Sequence, residues 1–301
     1  MRIKHRYIIF EKNVKVLTKI KKILNSYNLT YFYEEAKENP LIVGHKLEFV
    51  VYEDQFFFHK IQSKLKPFGM FEDISTEYNK NDIDNTEWFQ ISCGSYQYPQ
   101  PEDDFQYRNF TFNLDDYCPI CGIGKIQNNP YRLKNEPKQK NNQFWGLHWE
   151  YEPIFVRKET KKILEKECIQ GIHFLQPILH KNNKPINDFY QLIIETILEK
   201  GFDPYNTNTI TCKLNNEEGL NKNSKNIYCG RIKYHHPRKN SYLFGSKIFS
   251  SKLDFYISNE YFGSGTGAER INIISRKTYE IIKKNQLKGL TFAPIIHKRN
   301  I

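Results

Sequence analysis

Two cysteines three positions apart are the residues of this chain most readily given a chemical task. In Cys118-Pro119-Ile120-Cys121-Gly122 the thiolates are spaced to grip one metal ion, and the glycine relieves the tight turn. A structural zinc site needs four ligands, and no second CxxC follows. The remaining donors are Cys93, Cys212 and Cys229, with His148, His235 and His236. Cys118, Cys121, Cys229 and Cys212 form the expected set around one structural zinc ion. The bland alternative is a turn whose thiols are merely buried. A thioredoxin-like pair fits poorly, because the knuckle neither follows a clear strand nor opens a helix.

Other segments mix cations with imidazoles or rings. Tyr234-His235-His236-Pro237-Arg238-Lys239 has the residue types of a metal-independent RNase, with histidines as acid and base and Arg238 or Lys239 holding phosphate. It reads equally as a solvated loop after a strand. Arg132, Lys134, Trp145 and Trp149 have the composition of a stacking platform for single-stranded nucleic acid, although the alternation across 144–151 is that of a half-buried strand. Gly263-Ser264-Gly265-Thr266-Gly267 lacks the spacing and lysine of a P-loop and reads as a flexible turn. The sequence shows no HExxH, no Rossmann fingerprint and no Ser/His/Asp signature.

The elements that position these residues include a segment that occurs twice. VRKETKKILEKECIQGIHFLQPILHK (156–181) and ISRKTYEIIKKNQLKGLTFAPIIHK (274–298) align at an offset of 118 residues from Val156/Ile274 to Phe174/Phe292. Each reads as helix, turn and strand, with Ser275 as an N-cap and Gly171 and Gly289 as left-handed stops after the helices. Both copies are preceded by CGxxK, at Cys121–Lys125 and Cys229–Lys233, and then by strand-like runs, 147–151 and 253–257. If the copies pack as a pair, Cys229 faces Cys121. A repeated unit favours a binding scaffold over a single catalytic cleft.

The expected fold is α+β. Residues 1–93 form a small ferredoxin-like unit of order β-α-β-β-α-β, with strands at 7–10, 29–33, 47–52 and 71–78, helices at 14–24 and 56–65, and a further strand candidate at 88–92. Residues 94–116 read as a linker, 117–181 as the first repeat unit, 182–227 as a helical insert with a polar loop, and 228–301 as the second repeat unit, the two packed as a pseudo-duplicate. The insert rests on Phe189, Leu192, Ile193, Ile197 and Leu198, which fall on one helical stripe.

The net charge is +11, with an isoelectric point near 9.1, and favours an acidic partner: nucleic acid, an acidic protein or an anionic membrane surface, of which an acidic protein is the expected one and a membrane is not. Twenty Tyr and 22 Phe against two Met point to a core stacked from rings. No apolar run approaches the roughly 18 residues of a membrane span, and the N-terminus lacks a signal-peptide apolar core. The six cysteines are not a secreted disulfide framework, so a cytoplasmic setting with reduced thiols is expected.

CPICGIGKIQ, followed by FVRKETKKILEKECIQGIHFLQP, resembles a group of uncharacterised bacterial proteins carrying a CPxCGxGxxQ knuckle. The second copy is similar to immunity-protein-like families of the double-CXXCG type, found beside polymorphic toxins. The resemblance covers roughly 117–181 and 250–298 and implies a non-enzymatic protein-binding factor, an immunity or defence-associated protein. The second CXXC of the double pattern is absent. A nucleic-acid-binding protein with a zinc knuckle and a metal-independent RNase are the two other readings.

Overall fold

Alternate residues of Arg2–Glu11 (β1) turn inward, so His5, Tyr7 and Ile9 are buried while their neighbours meet solvent. The computed structural model describes the whole chain except residues 37–43, 139–140, 206, 213–228, 240–241, 250–251 and 299–301. The polar loop expected within 182–227, at 215–226, lies outside the described residues.

Val14–Ser26 (α1) follows an Asn13 cap whose side chain accepts from Lys15 N, and buries Leu17, Ile20 and Leu24 on one stripe. Tyr31–Glu34 (β2), His45–Tyr52 (β3), Phe58–Leu65 (α2) and Phe71–Glu77 (β4) complete an antiparallel sheet of order β2-β3-β1-β4. This compact unit comprises Met1–Asp84 with Pro237–Ser241. Leu17, Ile20, Leu24, Leu47, Val51 and Ile61 form its core. Glu48 lies between Arg6 Nε at 2.6 Å and Lys46 Nζ at 2.7 Å, which draw its carboxyl from 4.5 to about 2. A depressed carboxylate stabilises the folded state above its unfolded value and loses that contribution as pH falls through the folded one. The stability advantage of wild type over Glu48→Gln is therefore expected to be full above pH 4.5 and to fade towards pH 2, as read from unfolding titrations.

The second unit, Asn85–His236 with Tyr242–Ile301, follows the short helix Lys80–Asp84 (α3). In chain order it holds Trp88–Cys93 (β5), Ser95–Gln97 (β6), Tyr107–Thr111 (α4), Phe112–Asn113 (β7), Ile126–Gln127 (β8), Arg132–Leu133 (β9), Phe144–Leu147 (β10), Ile154–Arg157 (β11), Lys158–Lys166 (α5), Ile172–Leu175 (β12), Ile178–Leu179 (β13) and Phe189–Ile194 (β14). It continues with Thr209–Thr211 (β15), Ile232–Tyr234 (β16), Leu243–Gly245 (β17), Phe255–Ile257 (β18), Asn272–Ser275 (β19), Arg276–Lys284 (α6), Leu290–Pro294 (β20) and Ile296–Lys298 (β21).

Two sheets organise it, β12-β14-β11-β10-β6 and β18-β19-β5-β20. Their registers correspond position by position. Ile154, Phe155, Val156 and Arg157 face Leu192, Gln191, Tyr190 and Phe189, while Asn272, Ile273, Ile274 and Ser275 face Ile91, Gln90, Phe89 and Trp88. Phe174 faces Leu192 as Phe292 faces Ile91, and Phe144 faces Val156 as Phe255 faces Ile274. The third strand comes from downstream in one sheet and from upstream in the other. Beyond it, each chain run crosses to the opposite sheet. β6 pairs with β10, and Ile197 bridges Ile257.

The contacts between the sheets are reciprocal. Gln143 N and Phe144 N donate to Lys288 O, and Asp254 N donates to Gln170 O. Lys288 N donates to Gln143 Oε1 at 2.8 Å, and Gln170 N to Asp254 Oδ2 at 3.0 Å. Gly289 packs on the Phe144 carbonyl and Gly171 on the Phe255 carbonyl. The helices are not capped by these glycines, as the sequence suggested. Cys168 (φ 50°) and Gln286 (φ 52°) take the left-handed positions that end α5 and α6. The glycines serve the close approach of backbone between sheets.

Further sequence expectations are corrected here. Phe189–Ile194 is a strand, not a helix; it lies between β11 and β12, and a central strand carries a near-continuous apolar run that also fits a helical stripe. Trp88–Ser92 lies not in the N-terminal unit but between β19 and β20. Residues 94–116 are not a linker, because Tyr107, Thr111 and Phe112 are buried and Tyr107 and Phe112 pack with Trp145 and Phe155 in one core. The divisions expected at 117, 182 and 228 fall inside one compact unit.

Candidate metal centre and adjoining cleft

The knuckle folds locally through its backbone. Gly122 N donates to Cys118 O and Cys118 N to Ile123 O, both at 2.8 Å. Across from it, β15 and β16 form an antiparallel pair, with Thr211 opposite Ile232. Cys212 follows β15 and donates its N–H to Arg231 O, while Cys229 precedes β16. The sulfurs of Cys118, Cys121, Cys212 and Cys229 all lie within 4.8 Å of one another. Cys118 Sγ is 3.8 Å from Cys212 Sγ, and Cys121 Sγ is 3.6 Å from Cys229 Sγ. A tetrahedral ion with metal–sulfur bonds near 2.3 Å separates its thiolates by about 3.8 Å. The donor set and spacing fit such an ion.

The electrostatics fit too. A divalent ion held by four thiolates carries net negative charge, and two cations stand beside it. Lys233, only 2% exposed, donates to Cys121 O at 3.0 Å, Gly265 O at 2.6 Å and Gly267 O at 2.7 Å. Burial pulls its ammonium below the usual range, opposed by the neighbouring cysteine sulfurs. Arg231 donates to Asp116 O and Ile123 O and pairs with the Asp116 carboxylate. Burial opposes ionisation of Cys118, yet backbone N–H groups of Cys121 and Ile120 bring the thiol down to about 7, whereas burial pushes Cys121 up to about 12. The Gly263–Gly267 turn is no phosphate cradle, since it turns carbonyl acceptors towards a cation.

Beside the centre opens a cleft of about 1340 Å³, walled by Ile123, Leu192, Ile197, Ile257, Tyr261 and Asn272, among others. Its charges are largely paired. Lys125 holds Glu150 at 2.6 Å, and Arg270 holds Glu152 at 3.1 Å. Gln127 and Gln191 exchange two carboxamide hydrogen bonds of 2.8 Å. No Ser, Thr, Cys or His is among the described residues lining it.

The other sequence candidates do not converge. Trp145 is buried against Phe155 and Phe189, so it is a core residue and no stacking platform. Trp149 is part-exposed but its ring packs on Tyr98 and Phe105, the latter preceded in the chain by the acidic Asp103 and Asp104. Arg132 stands over the Phe110 ring and donates to Asn183, and Lys134 is exposed. His236 pairs with Glu269 at 2.8 Å and stacks on Phe262, while His235 is exposed. Arg238 is exposed and Lys239 ion-pairs with Glu53, both in the first compact unit. Sequence reasoning passed over Arg270, Asn272, Glu152 and Glu260, which carry no local motif. Lys125 and Lys233 were marked only by the CGxxK pattern.

Among the described residues, no helix is long and apolar enough to cross a membrane. A scan against protein-family models finds no match to this chain, and a search of curated proteins finds none either.

Proposed function

We propose that this chain is a non-enzymatic protein-binding factor, an immunity or defence-associated protein, built as a duplicated scaffold around one structural zinc ion. The matched registers, the reciprocal contacts of Gly171 and Gly289, and the left-handed Cys168 and Gln286 support one strand–helix–strand unit used twice. The order β2-β3-β1-β4 with helices after β1 and β3 supports a ferredoxin-like N-terminal unit. Cys118, Cys121, Cys212 and Cys229 would hold the zinc, which would supply a crosslink between the knuckle and the β15–β16 pair and no chemistry beyond it.

The observation that carries the binding reading is the cleft. It is large and walled by both sheets, its carboxylates Glu150 and Glu152 are tied to cations, and its described lining offers no hydroxyl of Ser or Thr, thiol or imidazole to attack or shuttle protons. A net charge of +11 suits an acidic protein partner. Affinity capture from the native cells, with nuclease treatment and crosslinking, tests this. The expected result is an acidic protein, retained after nuclease and crosslinked to lysines of the second unit. Co-purifying nucleic acid that disappears on digestion would favour the zinc-knuckle nucleic-acid reading instead.

A further inference from the structure

Three residues that line the cleft each keep a buried polar atom without a hydrogen-bond partner: Asn272 Oδ1, Arg270 Nε and Glu260 Oε2. Each side chain is otherwise engaged. Asn272 Nδ2 donates to Glu152 O at 2.8 Å, Arg270 Nη2 donates to Glu152 Oε2, and Glu260 Oε1 accepts from Gly201 N and Phe202 N. Asn272 is only 4% exposed, on a strand whose other residues are apolar except for the helix cap Ser275. Its counterpart in the other sheet is Ile154, so the fold does not require a polar side chain there. Buried polar groups without partners are costly, and a native protein retains few of them.

We infer that the cleft binds an extended polypeptide segment of the partner, read through its main chain. This rests on the protein-binding reading and adds the place and chemistry of recognition. Two orphan acceptors and one orphan donor call for a ligand with both N–H donors and a carbonyl acceptor, as a peptide main chain has. A phosphate group offers acceptors only and would face Asn272 Oδ1 and Glu260 Oε2 unpaired. The volume of about 1340 Å³ exceeds the roughly 300–1,000 Å³ of small-molecule sites and suits several residues of chain. Ile126, Ile197 and Ile232 line the cleft as half-exposed apolar residues, to pack alternate side chains. The three atoms are shut from bulk water, so these side chains must turn towards the cleft for a bound chain to reach them.

Panning a library of random linear peptides on the intact protein tests the inference. Peptides are expected to enrich, and a selected peptide should bind Asn272→Leu and Ile197→Asp about tenfold or more weakly than wild type. Asn272→Leu, which restores the apolar character of Ile154, should melt at or above the wild-type temperature while losing peptide affinity. A merely structural Asn272 would not give that split. Failure to enrich any peptide overturns the inference. Peptides that bind both variants as tightly as wild type also overturn it, while leaving protein binding itself intact. Displacement of the peptide by a single-stranded oligonucleotide, lost in the same two variants, would make the cleft a nucleic-acid site and end both readings.

Discussion

Cys212→Ser is expected to abolish metal retention and to lower the stability of the second unit by on the order of 4 kcal/mol, the linkage contribution of an ion present at about 1,000 times its dissociation constant. For a domain of this size that corresponds to a fall in Tm of roughly 10 °C. Cys212 is separated in sequence from the Cys118–Cys121 knuckle, yet its sulfur lies 3.8 Å from Cys118 Sγ. Serine keeps the volume and removes the thiolate. A strong chelator should lower the wild-type Tm by a similar amount and leave Cys212→Ser unchanged, since the variant has no ion to lose. Cys168→Ser, at an exposed position away from the cluster, should retain both metal and stability. Acidification should release the ion, because the thiolates must be deprotonated to bind it. Differential scanning calorimetry with parallel metal analysis checks each of these.

Gly289→Ala is expected to be more damaging still, by more than about 4 kcal/mol, and to prevent accumulation of folded protein. Gly289 has φ 110°, where L side chains are strained, and an added Cβ would lie 2.1 Å from the Phe144 carbonyl oxygen. Both obstacles are backbone, so neither can be relieved by a side chain swinging aside. The partner position should be milder. At Gly171, with φ 87°, the same Cβ would lie 2.9 Å from Phe255 O, so Gly171→Ala is expected to cost about 1–3 kcal/mol. Denaturant midpoints of the two variants would test this ordering. Equal, small effects would mean that the backbone approach between the sheets is looser than the structure has it.

Much of this was legible in the chain because it depends on local signals. The strand–helix–strand run at 156–181 and 274–298 was visible as a repeat, and Ser275 as a cap whose side chain accepts from Thr278 N. Cys118 and Cys121 were marked by the CxxC spacing and Cys229 by the recurrence of CGxxK, which set it opposite Cys121, whereas Cys212 carried no signal beyond being a remaining cysteine. What the sequence hid depends on partners distant in the chain. β5 and β14 are third strands supplied from outside the repeated segment, one upstream and one downstream, so no periodicity within them says which sheet they join. A strand covered on both faces loses the alternation that marks strands, and Phe189–Ile194 then mimics a helix. Gly171 and Gly289 were seen, but their reason is a carbonyl of the other sheet, which no local reading contains. Asn272 and Arg270 stand in ordinary-looking sequence, and only folding places them along one cleft with Glu260.

The most direct test of the account is X-ray absorption spectroscopy with elemental analysis on the intact protein purified without chelator. The proposed scaffold, closed by Cys118, Cys121, Cys212 and Cys229, predicts one zinc per chain with a shell of four sulfurs at about 2.3 Å. A protein that neither retains nor takes up zinc, or that holds it through oxygen or nitrogen atoms, would contradict it.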